Sequence, residues 1–422
     1  MLIRFLYTIL LAIVAPLLLY GLYKPKTGKP KYGLRWKEHF GLTPKVDTTD
    51  SPIWIHAVSV GEAIAAVPLI RAIKEKDPKQ VIVVTTTTST GAAQIKKIAD
   101  LVEHRYMPID FSFAVKGFLR AIKPSQMLIM ETELWPNTLH TVAKYGIPIT
   151  VINARLSHKS YSNYKRVLPL FSQLSKHISH ICCQNKDDAE RFIDLGICDR
   201  RVSITGSIKF DIVVSEQTMH AGSILKTSLG QQRPIWIAAS THKGEDEQVI
   251  AAHKSVLQTH QNSLLIIVPR HPERFEDVFL LCQSEGLKTV RRTSQQIVDV
   301  STQIYLADTM GELLTLFSAS DICFMGGSLL GEKVGGHNVL EPIALGVPTI
   351  TGPSYYNFLD IVTGLKNQNA IRIADDANML ANILQAWFSD TTESKAISLQ
   401  AHNFLKLNSG AIERTLNRLG YE

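Results

Sequence analysis

Short apolar runs alternate with longer runs of helical periodicity over most of the chain. The apolar runs are nearly continuous, which is typical of strands in a parallel sheet covered on both faces. Amphipathic stretches such as residues 63–74 lie between them. This alternation predicts βαβ units and a doubly wound α/β sheet. The first strand-like runs are PIWIHAV, QVIVVTTT, QMLIMETE, IPITVIN and HICCQN.

The same pattern restarts at Pro234, with the strand-like runs PIWIAAS, SLLIIVPRH, QIYLAD, DICFMGGS and VPTITGP. It predicts a second Rossmann-like domain, and ligands are expected in the cleft at the carboxyl ends of the two sheets. We expect the first domain at residues 24–211 and a polar interdomain linker at 212–232. The second domain is expected at 233–422, with C-terminal helices that stop at Gly420.

The N-terminal segment is the longest uncharged stretch of the pattern. Residues Phe5–Tyr23 are apolar and approach the ~20 residues that a helix needs to cross a bilayer, so residues 1–23 are predicted to be a membrane anchor. A cleaved signal peptide is disfavoured because the run is long and no cleavage site follows. Pro16 keeps a third possibility open, a helix that lies in the membrane surface without spanning it. Basic residues follow the run and only Arg4 precedes it, which favours a cytoplasmic location for the bulk of the chain; they are Lys24, Lys26, Lys29, Lys31, Arg35 and Lys37.

Charge and motif content narrow the function classes. The net charge of +7 and the pI near 9.0 favour anionic partners such as acidic lipid, whereas the lack of a basic block or a zinc-finger spacing argues against nucleic acid. The five cysteines are predicted to be core residues of a reducing compartment. No D-x-D, HExxH, Walker or GxGxxG motif occurs, which disfavours a metal-bridged nucleoside diphosphate, a protease, an NTPase and a dehydrogenase.

The second half contains a candidate nucleotide site, GGHNVLEPIALGVPTITGP, at residues 335–353. Its glycines allow a ligand to approach the backbone, and Asn338 is placed to cap a helix whose N-terminus binds phosphate. Glu341 is then expected to accept hydrogen bonds from ribose hydroxyls. The alternative is a purely structural capping box formed by Asn338 and Glu341.

Two further segments of the second half follow apolar strands. Arg270 and His271 are expected to face the cleft, where a guanidinium neutralises a leaving phosphate. A surface basic loop is the alternative. The turn DTMGEL, with Met310, Gly311 and Glu312, is a weaker candidate for contacts to a base through its backbone.

The first half contains acidic and basic candidates. Glu131 and Glu133, in ETELWPN, are expected to share one face of a strand end and to bind sugar hydroxyls or a cation, unless one of them bonds local backbone. Arg155 and Lys159, in NARLSHKSYSNYKR, are candidates for binding an acidic acceptor, and a solvated helix face is the alternative. Lys209, in GSIKFD, is expected to face the cleft.

The segment WIHAVSVGEA, Trp54–Ala63, predicts a strand, a tight glycine turn and a helix. Doubly wound folds bind phosphate at such a turn, yet this one contains the carboxylate of Glu62. Ser59 and Glu62 have the spacing of a capping box, which contributes ~1 kcal/mol to a helix. On spacing alone, the capping role is favoured.

Seven motifs in order resemble the 3-deoxy-D-manno-octulosonic acid (Kdo) transferases of Gram-negative bacteria: HAVSVGE, ETELWPN, NARLS, GSIKFD, AASTHKGEDE, VPRHPERF and GGHNVLEPIALGVP. The resemblance implies a GT-B glycosyltransferase fold with two Rossmann-like domains facing a cleft. It also implies CMP-Kdo as donor, a phosphorylated lipid A precursor as acceptor and the cytoplasmic face of the inner membrane. No cofactor is expected, and the lack of a D-x-D motif argues against a metal. Ser207 stands where the family usually has Asn, which is a conservative departure.

The resemblance also implies that Glu62 is the catalytic base. Glu62 would take the proton from the attacking lipid hydroxyl while CMP leaves in one inverting displacement. A helix N-terminus is expected to lower the pKa of Glu62, unless the closed cleft desolvates it. Lys209 or Arg155 is expected to pair with the Kdo carboxylate, and Arg270 with Asn338 to stabilise the CMP phosphate.

Three alternatives stay open at this point. The first is a nucleotide-sugar epimerase of the same fold, which has no lipid acceptor. The second is a membrane-tethered nucleotide-binding protein in which Glu62 is only a cap. The third is a transferase that uses a UDP-sugar.

Overall fold

The computed structural model describes residues 2–24 and 30–421 of the 422-residue chain. Two members of the basic cluster, Lys26 and Lys29, lie outside the described residues. The chain divides into two compact units. The first unit is Met1–Asp211 with Asn408–Glu422, and the second unit is Ile212–Leu407.

The first unit contains a seven-stranded parallel sheet of order β3-β2-β1-β4-β5-β6-β7. The strand order reverses between β1 and β4, which is where doubly wound sheets bind ligands. The strands are β1 Ile53–His56, β2 Ile82–Thr86, β3 Glu103–Tyr106, β4 Gln126–Met130, β5 Ile149–Ala154, β6 His180–Cys183 and β7 Val202–Ile204. The helices are α1 Leu2–Tyr23, α2 Val60–Lys76, α3 Ser89–Ile95, α4 Ser112–Ile122, α5 Pro136–Lys144, α6 His158–Arg166, α7 Leu168–Ser175 and α8 Lys186–Asp194, with 3₁₀ helices that include Gly33–Phe40 and Ile208–Phe210.

The second unit contains another seven-stranded parallel sheet, of order β10-β11-β9-β8-β12-β13-β14. Its order reverses between β8 and β12. The strands are β8 Ile235–Thr241, β9 Leu264–Pro269, β10 Thr289–Arg291, β11 Ile304–Leu306, β12 Ile322–Met325, β13 Thr349–Thr351 and β14 Arg372–Ile373. The helices are α9 Glu216–Gly230, α10 Asp246–Thr259, α11 Phe275–Ser284, α12 Leu313–Ser318, α13 Leu340–Ala344, α14 Leu359–Asn367, α15 Ala377–Ser389 and α16 Thr392–Asn408.

The central strands are buried along their whole length, as their continuous apolar sequences predict. Every residue of β1 and β9 is buried, and the indoles of Trp54 and Trp236 are fully enclosed. Helices therefore cover both faces of each sheet. The prediction of two doubly wound α/β domains is confirmed.

The prediction of a linker at 212–232 is wrong for most of that segment. Residues Glu216–Gly230 form α9, which buries Leu225 and Leu229. The helix packs closely on α12, because a Cβ atom at Gly222 would lie only 2.3 Å from Ser318. The polar residues that resembled a linker are the outer face of this helix.

The end of the chain does not belong to the second domain as predicted. Helix α17, Ala411–Leu419, packs against α2 of the first unit. The carboxylate of Asp211 accepts a hydrogen bond of 2.6 Å from the N–H of Ile412. Leu416 joins the core of the first unit. Gly420, with φ of 86°, ends α17, as the sequence predicts.

Helix α1 has the length and hydropathy of a membrane-crossing helix, with 22 residues and a mean hydropathy of 2.4. Both of its ends are hydrogen-bonded to the rest of the first unit. The hydroxyl of Tyr7 donates to Asp110 at 2.9 Å, and that of Tyr23 lies 2.7 Å from Nδ1 of His39. The apolar side chains between these ends are largely exposed.

The cysteines are unpaired. Cys182, Cys183, Cys282 and Cys323 are buried, as predicted, whereas Cys198 is exposed. Burial raises the pKa of each of the four core thiols. They are therefore inert packing residues.

Candidate active site

Glu62 lies in the first turn of α2, directly after β1 and beside the point where the strand order reverses. The side chain of Ser59 accepts a hydrogen bond from the Glu62 N–H at 3.2 Å. The Glu62 carboxylate accepts from the N–H groups of Ser59 and Val58, at 3.3 and 2.8 Å. The predicted capping box is confirmed, and it fixes the position of the carboxylate.

Burial raises the pKa of Glu62, although the hydrogen bonds from Ser59 and Val58 lower it. The negative charges of Glu131 and Glu133 raise it further. Glu62 is only 6% exposed, so desolvation outweighs the expected lowering of its pKa by the helix N-terminus. A raised pKa makes a carboxylate a better proton acceptor in its ionised form.

Glu131 and Glu133 do not share a strand face as predicted. Strand β4 ends at Met130, and Glu131 adopts a left-handed conformation with φ of 57°, so the segment leaves the strand at once. Glu133 accepts a hydrogen bond of 3.1 Å from the indole of Trp135. The negative charges of both carboxylates nevertheless raise the pKa of Glu62. Three acidic groups therefore lie near one another at the carboxyl edge of the sheet.

Three candidate cations lie at or after the neighbouring strand ends of the same unit. Arg155 directly follows β5 and is exposed, and Lys159 is exposed on α6. Lys209 is half-buried on the 3₁₀ helix Ile208–Phe210. Asn153, with φ of 52°, holds that helix, because its side-chain oxygen accepts from the Ile208 N–H at 3.1 Å. Lys209 therefore lies in the first unit, whereas the other candidate donor-binding residues lie in the second.

Three histidines from different loops meet at the carboxyl edge of the second sheet. His242 follows β8, and its ring lies edge to edge with that of His337, with centroids 5.1 Å apart and planes 6° apart. Their Nε2 atoms are 2.8 Å apart. The ring of His271, after β9, meets His242 edge-on at 5.4 Å. Arg270 and His271 are exposed, so they are open to a ligand.

Burial lowers the pKa of His337 to about 4 and also lowers the pKa of His242. The positive charges of the other histidines and of Arg270 act in the same direction. Both rings are therefore neutral at neutral pH, so that one Nε2 donates and the other accepts. Arg270 and Arg274 contribute positive charge at this edge.

Glu245 supports the glycine turn after β12. Its fully buried carboxylate accepts hydrogen bonds from the N–H groups of Gly327, Ser328 and Leu329, at 2.6, 3.0 and 3.0 Å. Glycine is required at Gly326, because a Cβ atom there would lie 2.9 Å from the Ala239 carbonyl oxygen. The MGGS turn is thus built on a buried carboxylate.

Asn338 and Glu341 interact, but not as a capping box. Helix α13 has only five residues, and its N-cap is Val339. The Asn338 side chain accepts from the Leu340 N–H at 3.1 Å and donates to Glu341 at 3.1 Å. Asn338 therefore satisfies the first N–H of α13, as expected, but the reciprocal bond of a capping box is missing, and phosphate binding at this short helix stays a prediction. Glu341 is half-buried, and burial raises its pKa.

The DTMGEL turn follows β11 at the same edge. Met310 is 58% exposed and Gly311 has φ of 87°. The carboxylate of Glu312 is held by a bidentate ion pair with Arg292, at 2.6 and 2.8 Å. That pair lowers the pKa of Glu312. Met310 and the backbone of Gly311 are therefore more accessible to a ligand than Glu312.

Sequence reasoning missed His242, Glu245 and His337 as site residues. All three occur in the motifs AASTHKGEDE and GGHNVLEP that carry the family resemblance. The available signal was their position after β8 and β12, the two strands that flank the reversal of strand order. Within residues 2–24 and 30–421, no three His, Cys, Asp or Glu side chains are grouped to hold a metal ion.

Comparisons with known proteins agree with this architecture. Solved structures of a glycosyltransferase from Rickettsia africae and of UDP-GlcNAc 2-epimerase from Neisseria meningitidis both give TM-scores of 0.56. Their identities are 13% and 12%, and they cover 88% and 87% of this chain and 98% and 100% of theirs, so they show the fold alone. Residues 237–404 match the family "Glycosyl transferases group 1". The protein thus has the GT-B glycosyltransferase fold, as expected.

Sequence relatives identify the family. Residues 34–212 match the family "3-Deoxy-D-manno-octulosonic-acid transferase (kdotransferase)". The Kdo transferase of Haemophilus influenzae is 37% identical over 99% of this chain and 98% of its own length. That of Bordetella pertussis is 30% identical over 87% of both chains. The chain belongs to the 3-deoxy-D-manno-octulosonic acid transferase family, and the expected resemblance is confirmed.

Proposed function

We propose that the protein transfers Kdo from CMP-Kdo to a hydroxyl of a phosphorylated lipid A precursor in lipopolysaccharide biosynthesis. The observation that carries the proposal is the buried, hydrogen-bonded carboxylate of Glu62 at the point of strand reversal in a member of this family. The names of the relatives support Kdo as the transferred group. The epimerase alternative is supported only by fold, at 12% identity.

Glu62 is the proposed catalytic base. Its carboxylate takes the proton of the acceptor hydroxyl as that oxygen bonds to the anomeric carbon of Kdo. The bond from this carbon to the phosphate oxygen breaks, and CMP leaves with the electron pair in one inverting step. Burial and two neighbouring carboxylates raise the pKa of Glu62, and this raised pKa supports its role as the base.

The second unit is the proposed CMP site. Arg270 faces the phosphate of CMP and stabilises the charge of the leaving group. His271, the neutral His242–His337 pair and the glycine turn on Glu245 form the surrounding edge. Met310, Gly311, Asn338 and Glu341 contact the nucleoside, and Lys209 pairs with the Kdo carboxylate. The lack of a D-x-D motif supports transfer without a metal ion.

The first unit is the proposed acceptor site. Glu131 and Glu133 lie near the base, where they accept hydrogen bonds from sugar hydroxyls. Arg155 and Lys159 are exposed after β5, and a guanidinium or ammonium there pairs with an acidic group of the acceptor.

Helix α1 supports attachment to a membrane, and the basic residues that follow it support the cytoplasmic face of the inner membrane. We propose that it lies along the membrane surface, because hydrogen bonds hold Tyr7 and Tyr23 against the same unit. Sixteen residues of helix span about 24 Å, so a helix across the ~30 Å hydrocarbon core could not keep both contacts. The exposed apolar side chains of α1 then enter the lipid interface.

The test is mass spectrometry of a phosphorylated lipid A precursor after incubation with the purified protein and freshly generated CMP-Kdo. Wild type should add discrete Kdo mass increments, whereas Glu62→Gln should reduce the rate by roughly 100-fold or more. Glu75→Gln, an exposed carboxylate on the same helix, is the matched control. If Glu62→Gln forms product at the wild-type rate, the protein is still a transferase, but Glu62 is not its catalytic base. No product from wild type would favour the epimerase or nucleotide-binding alternatives.

A further inference from the structure

The first unit contains a cavity of about 750 Å³ that none of the assigned residues uses. It lies between the C-terminal part of α1, the 3₁₀ helix Gly33–Phe40 and the residues that follow β2. Its volume is within the range of ~300–1,000 Å³ that is typical of ligand pockets. The apolar part of its wall is formed by Leu19, Leu22, Tyr23, Tyr32, Trp36 and Phe40.

The aromatic wall is held in place by hydrogen bonds directed away from the rings. The hydroxyl of Tyr23 bonds to His39, and that of Tyr32 donates to the Thr87 carbonyl at 3.2 Å. Tyr23 and Tyr32 meet edge to face with centroids 5.4 Å apart. Because the polar ends of both tyrosines are satisfied, their rings present apolar surface to the cavity.

The cavity continues the exposed apolar surface of α1. Leu17 and Leu18, just before its wall, are 71% and 55% exposed, and Trp36 is 44% exposed. An apolar surface of this kind, together with a partly exposed indole, is typical of contact with lipid. Leu19 and Leu22 of the same helix line the cavity, so its apolar wall is continuous with this exposed surface along α1.

The charged residues of the cavity are all basic. Lys24 and Lys31 line it, and no acidic side chain is among the described residues that do. Neither lysine forms an ion pair with an acidic group in the described parts of the chain. An apolar wall with two lysines is complementary to an amphiphile that has an anionic head group.

The cavity also lies at the sheet edge that contains Glu62. Thr88, Ser89 and Thr90 line it and follow β2, which pairs in parallel with β1. Glu62 lies in the turn and helix that follow β1. The carboxyl ends of adjacent parallel strands meet at one edge, so a ligand in the cavity has its head group on the same edge as the base.

We propose that this cavity binds one acyl chain of the phosphorylated lipid acceptor, with Lys24 and Lys31 beside its phosphate. The inference rests on the proposed function, because it assigns a subsite to the acceptor of that reaction. If the proposal is correct, the acyl chains of the acceptor affect KM, whereas the proton transfer at Glu62 does not depend on them.

The test compares transfer to the acylated acceptor with transfer to its water-soluble, fully deacylated form. Gly21→Trp fills the cavity from α1, where a Cβ atom has no neighbour within 4 Å, and Thr90→Trp fills it from the opposite wall. Each should raise KM for the acylated acceptor about 10-fold and leave kcat and the deacylated acceptor unchanged. Leu280→Trp adds the same indole to an exposed helix position of the second unit and should change neither.

The lysines are tested in the same assay. The double variant Lys24→Gln with Lys31→Gln should raise KM for the phosphorylated acceptor by about 5-fold or more. Lys76→Gln with Lys79→Gln removes two exposed charges of the same unit away from the cavity and should have no effect. Equal effects of the filling variants on both acceptors, or no effect on either, would overturn the proposal.

Direct binding separates this inference from the proposed function. Phosphatidic acid with a brominated acyl chain, in nonionic detergent micelles, should quench the fluorescence of Trp36. The quenching should be absent in Trp36→Phe. If the wild-type protein transfers no Kdo, the proposed function is wrong, but the quenching of Trp36 still tests whether the cavity binds an acyl chain. If transfer proceeds and Trp36 is not quenched, the cavity assignment is wrong.

Discussion

The hydroxyl of Tyr7, in the second turn of α1, donates a hydrogen bond of 2.9 Å to the carboxylate of Asp110. Asp110 is 7% exposed and also accepts from the N–H groups of Asn137 and Thr138, at 3.1 and 2.6 Å. The apolar helix α1 is therefore held to the rest of the first unit by a hydrogen bond to a buried carboxylate. This contact gives α1 a fixed orientation that its apolar composition alone would not give.

Replacing Tyr7 by Phe should loosen the N-terminal end of α1. The change removes one hydrogen bond to a charged acceptor, which costs about 1.5–3 kcal/mol, while the other donors to Asp110 stay in place. Amide hydrogen exchange of residues 2–9 should accelerate by about 10-fold or more. Tyr20→Phe is the control, since Tyr20 is 64% exposed. Equal protection in both variants would mean that the Tyr7 contact does not hold the helix.

If α1 lies along the membrane surface, both of its ends should be on the cytoplasmic side of the membrane. In a Cys198→Ser background, cysteines introduced at Leu2 and Lys24 should both be protected from a membrane-impermeant maleimide added outside intact spheroplasts. Both should be labelled after lysis. Labelling of Leu2→Cys from outside would instead show a spanning helix, and it would contradict the hydrogen bonds of Tyr7 and Tyr23 to one unit.

The carboxylates beside Glu62 should set the acidic limb of the pH–rate profile. The base must be ionised, so kcat/KM falls as the pH drops through its raised pKa. Removing a neighbouring negative charge lowers that pKa, so Glu131→Gln and Glu133→Gln should each move the acidic limb to lower pH. Glu75→Gln should not move it. Unchanged limbs in both variants would show that Glu62 does not titrate in this profile.

The sequence predicts the central strands but misses the edges of both sheets. Strands β1 and β9 are buried on both faces, so they are continuously apolar. Strand β3, with the sequence EHRY, is an edge strand with only Tyr106 buried. Strand β14 has two residues. Edge strands bury less surface and so have a weaker apolar signal.

The sequence places the candidate residues at strand ends, yet it does not predict their partners. Arg270 and His271 follow β9 as expected. The pairing of His242 with His337 joins residues 95 positions apart in the chain, so no local spacing predicts it. Likewise, the ion pair of Glu312 with Arg292 depends on how the segment after β10 returns to the sheet edge. Such contacts follow from tertiary packing alone.

The hydrogen-bonded pair of His242 and His337 predicts a loss of stability in acid. The pKa of His337 is about 4 in the folded protein, below its unfolded value of 6.5. The neutral ring's stabilisation is therefore complete above pH 6.5 and is lost as the pH falls towards 4. We expect His337→Gln to lose less stability than wild type over this range, by on the order of 2 kcal/mol. Urea unfolding at pH 6.5 and pH 4 measures the difference. Equal losses in both proteins would contradict a neutral, half-buried pair.

Glu245 should be more important for stability than its neighbour Glu247, because its carboxylate is the acceptor for three backbone N–H groups of the turn after β12. Glu245→Ala leaves these donors buried without a partner, at a cost of about 3 kcal/mol or more. CMP affinity, measured by calorimetry on the folded variant, should fall as the turn moves. Glu247→Ala, at an exposed position of α10, should change urea unfolding and CMP affinity little. If Glu245→Ala unfolds like Glu247→Ala, the turn holds its shape without the carboxylate, and the CMP edge depends on the glycines alone.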